Sequence, residues 1–253
     1  MSERIVPVIL AGGFGRRTEG ILGDLPKTLL PTKDGETLLD HLVNDLSGTG
    51  FKSAVLVSND KFFDVIKKHL REKKFELKVR VLNDGAENKE TRLGAIGDML
   101  LVVEKENFDR QDKSLLIVAS DYAYWKSFKI GDFLEFAKEK KDHFVTIARD
   151  VKDTEIIKGR FGCLEINGKS EMVSFEEKPE NPKSSLAAVA FYLYRPKHLK
   201  YLREYKEGGG NIDSPGYIIP YLLKKDVKIA VFVVEDNIID VGNPEDIEKG
   251  KIY

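Results

Sequence analysis

The chain has 253 residues, 42% of them hydrophobic and 33% charged, with 41 Lys+Arg against 42 Asp+Glu and a formal net charge of −1. That balance suits a globular protein with a sizeable core and excludes an overall basic excess for non-specific nucleic-acid or membrane binding. The single cysteine, Cys163, excludes an internal disulfide and a multi-thiolate metal centre. The N-terminal residues lack the pattern of a secretory signal and no apolar run approaches the ~20 residues of a membrane span, so cytoplasm is the expected location.

In chain order, Ile5–Leu10 is apolar throughout and reads as a strand buried on both faces, with Pro7 expected near its start because proline cannot donate to a ladder. A glycine-rich turn follows. Residues 36–46 carry Leu38, Leu39, Leu42, Val43 and Leu46 at helical spacing, and Gly48 and Gly50 supply a stop. Ala54–Val57 is a second buried strand, and residues 60–70 form a helix with Phe62, Phe63, Ile66 and Leu70 on one face. Residues 77–82 alternate as a third strand, 93–103 are helical, and 115–119 form the most apolar strand. This rhythm predicts a Rossmann-like, doubly wound α/β sheet, with ligands beyond the carboxyl ends of its strands.

After about residue 140 strands dominate: 144–148, 161–166, 172–175, 187–194 and 227–234. They read as mixed or antiparallel β structure continuing the same sheet. No Ser/Pro-rich linker separates the halves, so one domain over 1–253 is expected. Its lobes would be a nucleotide-binding half at about 1–125 and a sugar-phosphate-binding half at about 126–253.

The turn Ala11-Gly12-Gly13-Phe14-Gly15-Arg16-Arg17 lets backbone N–H groups approach an anionic oxygen, and its arginines add charged donors. A tight βα turn with solvated arginines is the plainer alternative. No Gly-Lys-Ser/Thr closes it as a P-loop, and Thr18 replaces the third glycine of a dinucleotide fingerprint. Pro26-Lys27-Thr28-Leu29-Leu30-Pro31 comes next. The whole stretch from Leu10 to Pro31 resembles the signature of the sugar-1-phosphate nucleotidyltransferases, glucose-1-phosphate thymidylyltransferases among them, although Arg16 replaces the family's Thr.

Three later segments carry the same resemblance in the same order. Ile117-Val118-Ala119-Ser120-Asp121 is similar to a strand ending in Gly-Asp, with Ser120 in the glycine's place. Ser174-Phe175-Glu176-Glu177-Lys178-Pro179 is similar to the family's Glu-Lys-Pro element. Asp240-Val241-Gly242-Asn243-Pro244-Glu245 is similar to its Asp-x-Gly-Thr/Asn-Pro-Glu segment. Taken singly, Asp121 and Asp240 also suit turn capping and Lys178 a solvated loop. The four segments together favour the family.

The resemblance implies a nucleotide-diphospho-sugar transferase fold, a three-layer arrangement around a mixed sheet. It also implies Mg²⁺-dependent transfer of a nucleotidyl group from a nucleoside triphosphate to a sugar-1-phosphate, with release of pyrophosphate. Asp121 and Asp240 would hold the metal, Arg17 the β- and γ-phosphates, Lys27 the α-phosphoryl group and Lys178 the sugar phosphate. Leu10, Ala11, Gly12, Gly13, Gly15, Asn83 and Leu93 would line the nucleotide site, and Gly162 and Glu177 the sugar. The base-reading region, Leu82–Gly85 and Thr91–Gly94, matches least. There Asn83 suggests an amide reader of a pyrimidine, a preference that follows the short thymidylyl- and cytidylyltransferases nearest in length.

Other readings compete. A non-catalytic nucleotide-sensing or scaffold protein of this fold is opposed by Lys27, Asp121 and Asp240. Transfer to an alcohol phosphate stays open, and a dinucleotide-dependent oxidoreductase is weakened by the missing glycine. His41, His69, His143 and His198 show no metal-ligand spacing. Tyr192 and Tyr194 read as packing residues, Cys163 as a buried strand residue, and Lys138–Lys141 as a solvated helix end. No nucleic-acid or membrane partner is expected, and a homo-oligomer is compatible with the reading.

Overall fold

The computed structural model describes residues 4–15, 25–108, 111–120, 122–123, 128–235 and 239–240, with the backbone alone at 122–123 and 239–240. Its strands are β1 (Arg4–Ala11), β2 (Ser53–Ser58), β3 (Lys78–Asn83), β4 (Lys113–Ala119), β5 (Tyr122–Ala123), β6 (Phe144–Asp150), β7 (Cys163–Ile166), β8 (Met172–Glu176), β9 (Leu186–Tyr194), β10 (Ile229–Glu235) and β11 (Ile239–Asp240). The helices are α1 (Leu38–Gly48), α2 (Asp60–Lys73), α3 (Gly94–Lys105), α4 (Ile130–Glu139), α5 (Pro196–Glu207) and α6 (Ile219–Lys224).

One mixed sheet runs in the order β10-β6-β9-β4-β1-β2-β3, with β7 joined to β8 and β9. The β1–β4, β1–β2, β2–β3 and β10–β6 pairs are parallel, whereas β9 is antiparallel to both β4 and β6. Thus the expected continuation of the sheet is present, and β9 reverses direction in its middle. Pro7 lies midway along β1 rather than near its start. It stands opposite Leu116 of β4, while the ladder to β2 begins only at Val8. A residue without an N–H is tolerated where one flank is unpaired.

Alternation along β1 sends Ile9 and Val8 to opposite faces. Ile9 joins a core with α1, α2 and α4 residues such as Leu42, Phe62 and Phe133, and Val8 joins another with α3, α5 and α6 residues such as Met99, Leu202 and Leu222. The result is the three-layer α/β architecture expected from the sequence. Tyr194 and Cys163 are buried, as anticipated.

The helices around the first turn are firmly fastened. Thr37 and Asp40 form a reciprocal capping box at the start of α1. Asp40 also meets His69 at 2.6 Å and Lys73 at 3.2 Å, tying α2 to α1. Burial opposes ionisation of Asp40, but these hydrogen bonds outweigh it and hold its carboxyl below the usual range. His69 therefore has a structural place. His41 likewise meets Thr32 and Asp34 near the loop that carries Lys27.

Candidate active site

The carboxyl ends of β1 and β4 lie side by side, with Leu10 opposite Ala119. Beyond them opens a cleft with two basins. The first, of about 490 Å³, is walled by the glycine turn, Lys27, Asp84, Arg92 and the start of α3. The second, of about 320 Å³, is walled by Gly162, Glu177, Lys178, Tyr192 and Ser214. Leu10, Lys27, Ala95 and Asp213 border both. Lys27 also borders a smaller recess of about 90 Å³ with Ala11, Gly13, Thr28 and Ser120. It therefore stands at the junction of all three spaces.

Local chemistry fixes each wall. The glycine turn is anchored by Asn59, whose side-chain amide donates to the Gly12 carbonyl at 3.0 Å. A Cβ at Gly12 would lie 2.6 Å from Asp98 Oδ2 and 3.2 Å from Asp84 Oδ2, so a side chain there would have to displace these carboxyls. Lys27 begins a single 3₁₀ turn, Lys27–Leu29, after Pro26. Buried Leu29 and Leu30, and the Leu38 N–H donated to the Leu30 carbonyl at 3.2 Å, fix that turn against α1.

Asp98 is 5% exposed and hydrogen-bonded to Asp84. Burial first, then the neighbouring charge of Asp84, pushes its carboxyl well above the usual range. Asp84 is raised by burial as well, against the pull of the Ala86 N–H. Both shifts favour the protonated form of this carboxyl pair. Nearby, Arg92 pairs with Asp213 at 2.9 Å. The Ile96 N–H at the start of α3 donates to the Ile212 carbonyl at 3.1 Å, fastening the segment that brings Asp213 to both basins and Ser214–Gly216 to the second.

The second basin has a different floor. Ala188, Ala190 and Tyr192 share one face of β9, and the two small side chains leave the sheet surface uncovered. Tyr192 is buried as a packing residue would be, and its side chain also reaches this floor, a role the alternation alone did not reveal. Glu177 accepts from Ser214 Oγ at 3.4 Å, and its carboxyl is raised by burial in spite of Lys178 beside it.

Residues 6–251 match the nucleotidyl transferase family. The chain belongs to this family. It is 26% identical to a glucose-1-phosphate adenylyltransferase of Bacillus licheniformis over 96% of its own length and 65% of that relative's. It is also 26% identical to a "Putative mannose-1-phosphate guanyltransferase" of Sulfolobus acidocaldarius, over 94% of this chain and 60% of that one. The chain thus spans less than two thirds of either relative. The fold is similar to the crystal structure of a "Putative Glucose-1-Phosphate Thymidylyltransferase from Bacillus anthracis in Complex with a Sucrose". That likeness has a TM-score of 0.75 and 23% identity, covering 97% of this chain and 93% of that one.

The cleft gathers most of the residues singled out in the sequence. Leu10, Gly12, Gly13, Gly15 and Lys27 line the first basin, Ala11 the recess, and Gly162, Glu177 and Lys178 the second basin. Two nucleotide-site expectations fall elsewhere. The exposed Asn83 donates to Asp60 at 2.6 Å and accepts from the Gly85 N–H at 2.8 Å, so its neighbour Asp84 lines the cleft instead. Leu93 caps α3 and packs beside Gly97, while Gly94 and Ala95 face the basin. Arg17 and Asp121 lie outside the described residues, as does the side chain of Asp240. The backbone of Asp240 pairs antiparallel with Tyr122.

Asp98, Asp213 and Arg160 are among the cleft residues that motif reading missed, and Asp84 lies in the base-reading stretch without having been singled out. For Asp98 a signal existed: it is the only charged residue between Ile96 and Val103, in a helix stretch that is otherwise apolar. Asp213 carried no comparable signal in its sequence surroundings.

Proposed function

We propose that the protein transfers a nucleotidyl group from a nucleoside triphosphate to a sugar-1-phosphate. A phosphate oxygen of the sugar-1-phosphate attacks the α-phosphorus, a new P–O bond forms, and the bond to the β-phosphate oxygen breaks to release pyrophosphate. The nucleophile is already ionised at neutral pH, so no general base is needed. The demand is to bring two polyanions into line and stabilise charge at the reacting phosphorus.

The observation that carries this reading is the place of Lys27, on the border shared by the glycine-turn basin and the Gly162/Glu177/Lys178 basin. The backbone of Gly12–Gly15, with Arg17, would hold the β- and γ-phosphates. Lys178 would hold the sugar phosphate, and Gly162 and Glu177 the sugar. The two lobes, about 1–125 and 126–253, would then divide nucleotide from sugar phosphate.

Asp121 and Asp240 would hold Mg²⁺. The donor set suits that hard cation, which takes a few carboxylate oxygens together with phosphate and water. The backbone supports the pairing, because Asp240 stands in register with Tyr122, the residue directly after Asp121 in sequence. Once bound, Mg²⁺ would neutralise charge on the phosphates.

The relatives are named for adenylyl and guanyl transfer, so the family leaves the base open. Asn83, the candidate reader of a pyrimidine edge, is engaged with Asp60. The test is a panel of nucleoside triphosphates against sugar-1-phosphates, with Mg²⁺ present or chelated and pyrophosphate release as the readout. Release that needs both substrates is expected. Neither release nor nucleotide binding across the panel would sink the proposal.

A further inference from the structure

We infer that the open edge of β3, with the adjoining face of α2, is a docking groove for an acidic, extended segment of a partner protein, which adds to the sheet as a further strand. The groove measures about 510 Å³ and shares no lining residue with the cleft. It therefore stands apart from the function proposed above.

The backbone supplies the first part of the argument. β3 ends the sheet and, among the described residues, pairs with β2 alone. The Lys78 N–H donates to the Lys52 carbonyl at 3.2 Å, and the Asp84 N–H, just past the strand, to the Ser58 carbonyl at 2.9 Å. Alternate residues of a strand turn their main chain to the same neighbour. Lys78, Arg80 and Leu82 thus face β2, while the N–H and C=O of Val79 and Val81 face outward, as on any open edge. The side chains of Val79 and Val81 lie with Leu70 and Phe75 against the core under α2, and all four are only partly buried. Outward amides and a half-buried apolar floor run along the same groove.

The rim of that floor is basic. Lys67 and Arg71 lie one turn apart on α2, Lys74 follows the helix, Lys78 opens β3, and all four are exposed. No Asp or Glu lines the groove. Among the described residues none of these four makes an ion pair, although Lys68, Lys73 and Arg80 beside them do. Two ordinary explanations fall short. Cations near the end of α2 complement the helix dipole, but Lys67 stands well before that end. Basic residues on an edge strand deter self-pairing, which accounts for Lys78 and Arg80 but for nothing on α2.

The same charges choose the occupant. A second copy placed edge to edge would set Lys78 and Arg80 against their own kind, and like charges across strands are unfavourable. An extended segment of alternating acidic and apolar residues suits the rim, the floor and the outward amides together. A compact polyphosphate would meet the cations alone.

The test follows binding by fluorescence anisotropy of a labelled, end-capped peptide of alternating Glu and Val, about eight residues long, enough to span a strand. It is titrated with the full chain, wild type, Arg71→Glu and Val81→Pro, each checked for folding by circular dichroism. Val81→Pro removes one outward N–H while leaving every charge and the ladder to β2 in place, and an edge strand tolerates it. Each variant is expected to weaken peptide binding about tenfold or more, the order of one lost hydrogen bond or charged contact. If Val81→Pro does not fold, a peptide with Pro in place of each Val decides, since it keeps the charge but cannot form a regular ladder; it should bind about tenfold more weakly or worse. No binding of the Glu-Val peptide, or binding that Arg71→Glu leaves intact, overturns the inference. So does sensitivity to Arg71→Glu with none to the proline changes, which would reduce the groove to an anion patch. Tighter binding of a single-stranded oligonucleotide of similar length would also overturn it, in favour of a nucleic-acid site.

Discussion

The two basins of the cleft are built on opposite principles. The first lies at the ends of parallel strands, where the chain turns sharply after β1 and β3 and where glycines, lysines and carboxylates gather. The second lies over the face of one antiparallel strand, where Ala188 and Ala190 are too small to cover the sheet. One is made by what projects into it, the other by what is missing from it. Lys27 belongs to both, so perturbing it should cancel the distinction, whereas changes confined to one basin should separate the two substrates.

The largest effects are expected where the basins meet. Lys27→Ala should lower kcat by about a hundredfold or more, the usual loss when one preorganised donor is removed, with a smaller change in nucleotide affinity. Steady-state kinetics checks this, and a raised KM with unchanged kcat would place Lys27 in ground-state binding instead. Asp240→Asn keeps the shape and turn-forming ability of the side chain but removes its charge. It should leave a folded protein with severely reduced turnover and a higher Mg²⁺ requirement. Normal activity would return Asp240 to turn capping.

Changes within one basin should be smaller and selective. Gly12→Ala would drive a methyl group into the Asp84–Asp98 pair. It should weaken nucleotide binding while destabilising the fold by about 1–3 kcal/mol, the range for overpacking; titration and chemical denaturation measure the two. Ala190→Leu should fill the second floor and raise KM for the sugar phosphate by about tenfold or more, since small misplacements near the reacting groups are costly. Nucleotide affinity should stay unchanged, and a loss of nucleotide binding would show that the basins are not separable.

The smallest effect concerns pH. The folded state keeps the proton of Asp98 up to about 8, whereas an unfolded aspartate releases it near 3.8. Between those values the native state binds more protons than the unfolded chain, so stability falls as pH rises. Asp98→Asn should remove that slope. Its Tm relative to wild type should be higher at pH 8 than at pH 5. A difference independent of pH in thermal melts would contradict a raised Asp98.

The contrast between the basins also explains what the sequence made legible. Apolar strands alternating with amphipathic helices announced the first half of the sheet, and glycines placed directly after β1 announced its turn. The one-residue slip between Asn83 and Asp84 was not legible. The Asn83 side chain closes a local turn onto the Gly85 N–H, and that turn decides which neighbour faces the cleft. The signal at Asp98 was passed over because a lone carboxylate in a helix ordinarily reads as a solvent-facing residue. The floor of alanines was hidden for a plainer reason. Small residues in a strand say nothing of whether a helix covers them, and only the tertiary arrangement shows that Ala188 and Ala190 border a cavity instead.

The reversed strand β9 has a further consequence, for the order in which the sheet can be assembled. It lies between β4 and β6, yet both precede it in the chain. During synthesis from the N-terminus, β6 emerges before either of its neighbours, because its other partner is β10. The flank of β4 away from β1 is likewise open until residues 186–194 arrive. Closing the centre of the sheet therefore waits on pairings distant in sequence, the kind that slow folding and leave strand edges exposed meanwhile. A chain stopped before residue 186 would leave β6 with neither partner and β4 with one open flank, and should aggregate rather than persist as a smaller folded unit.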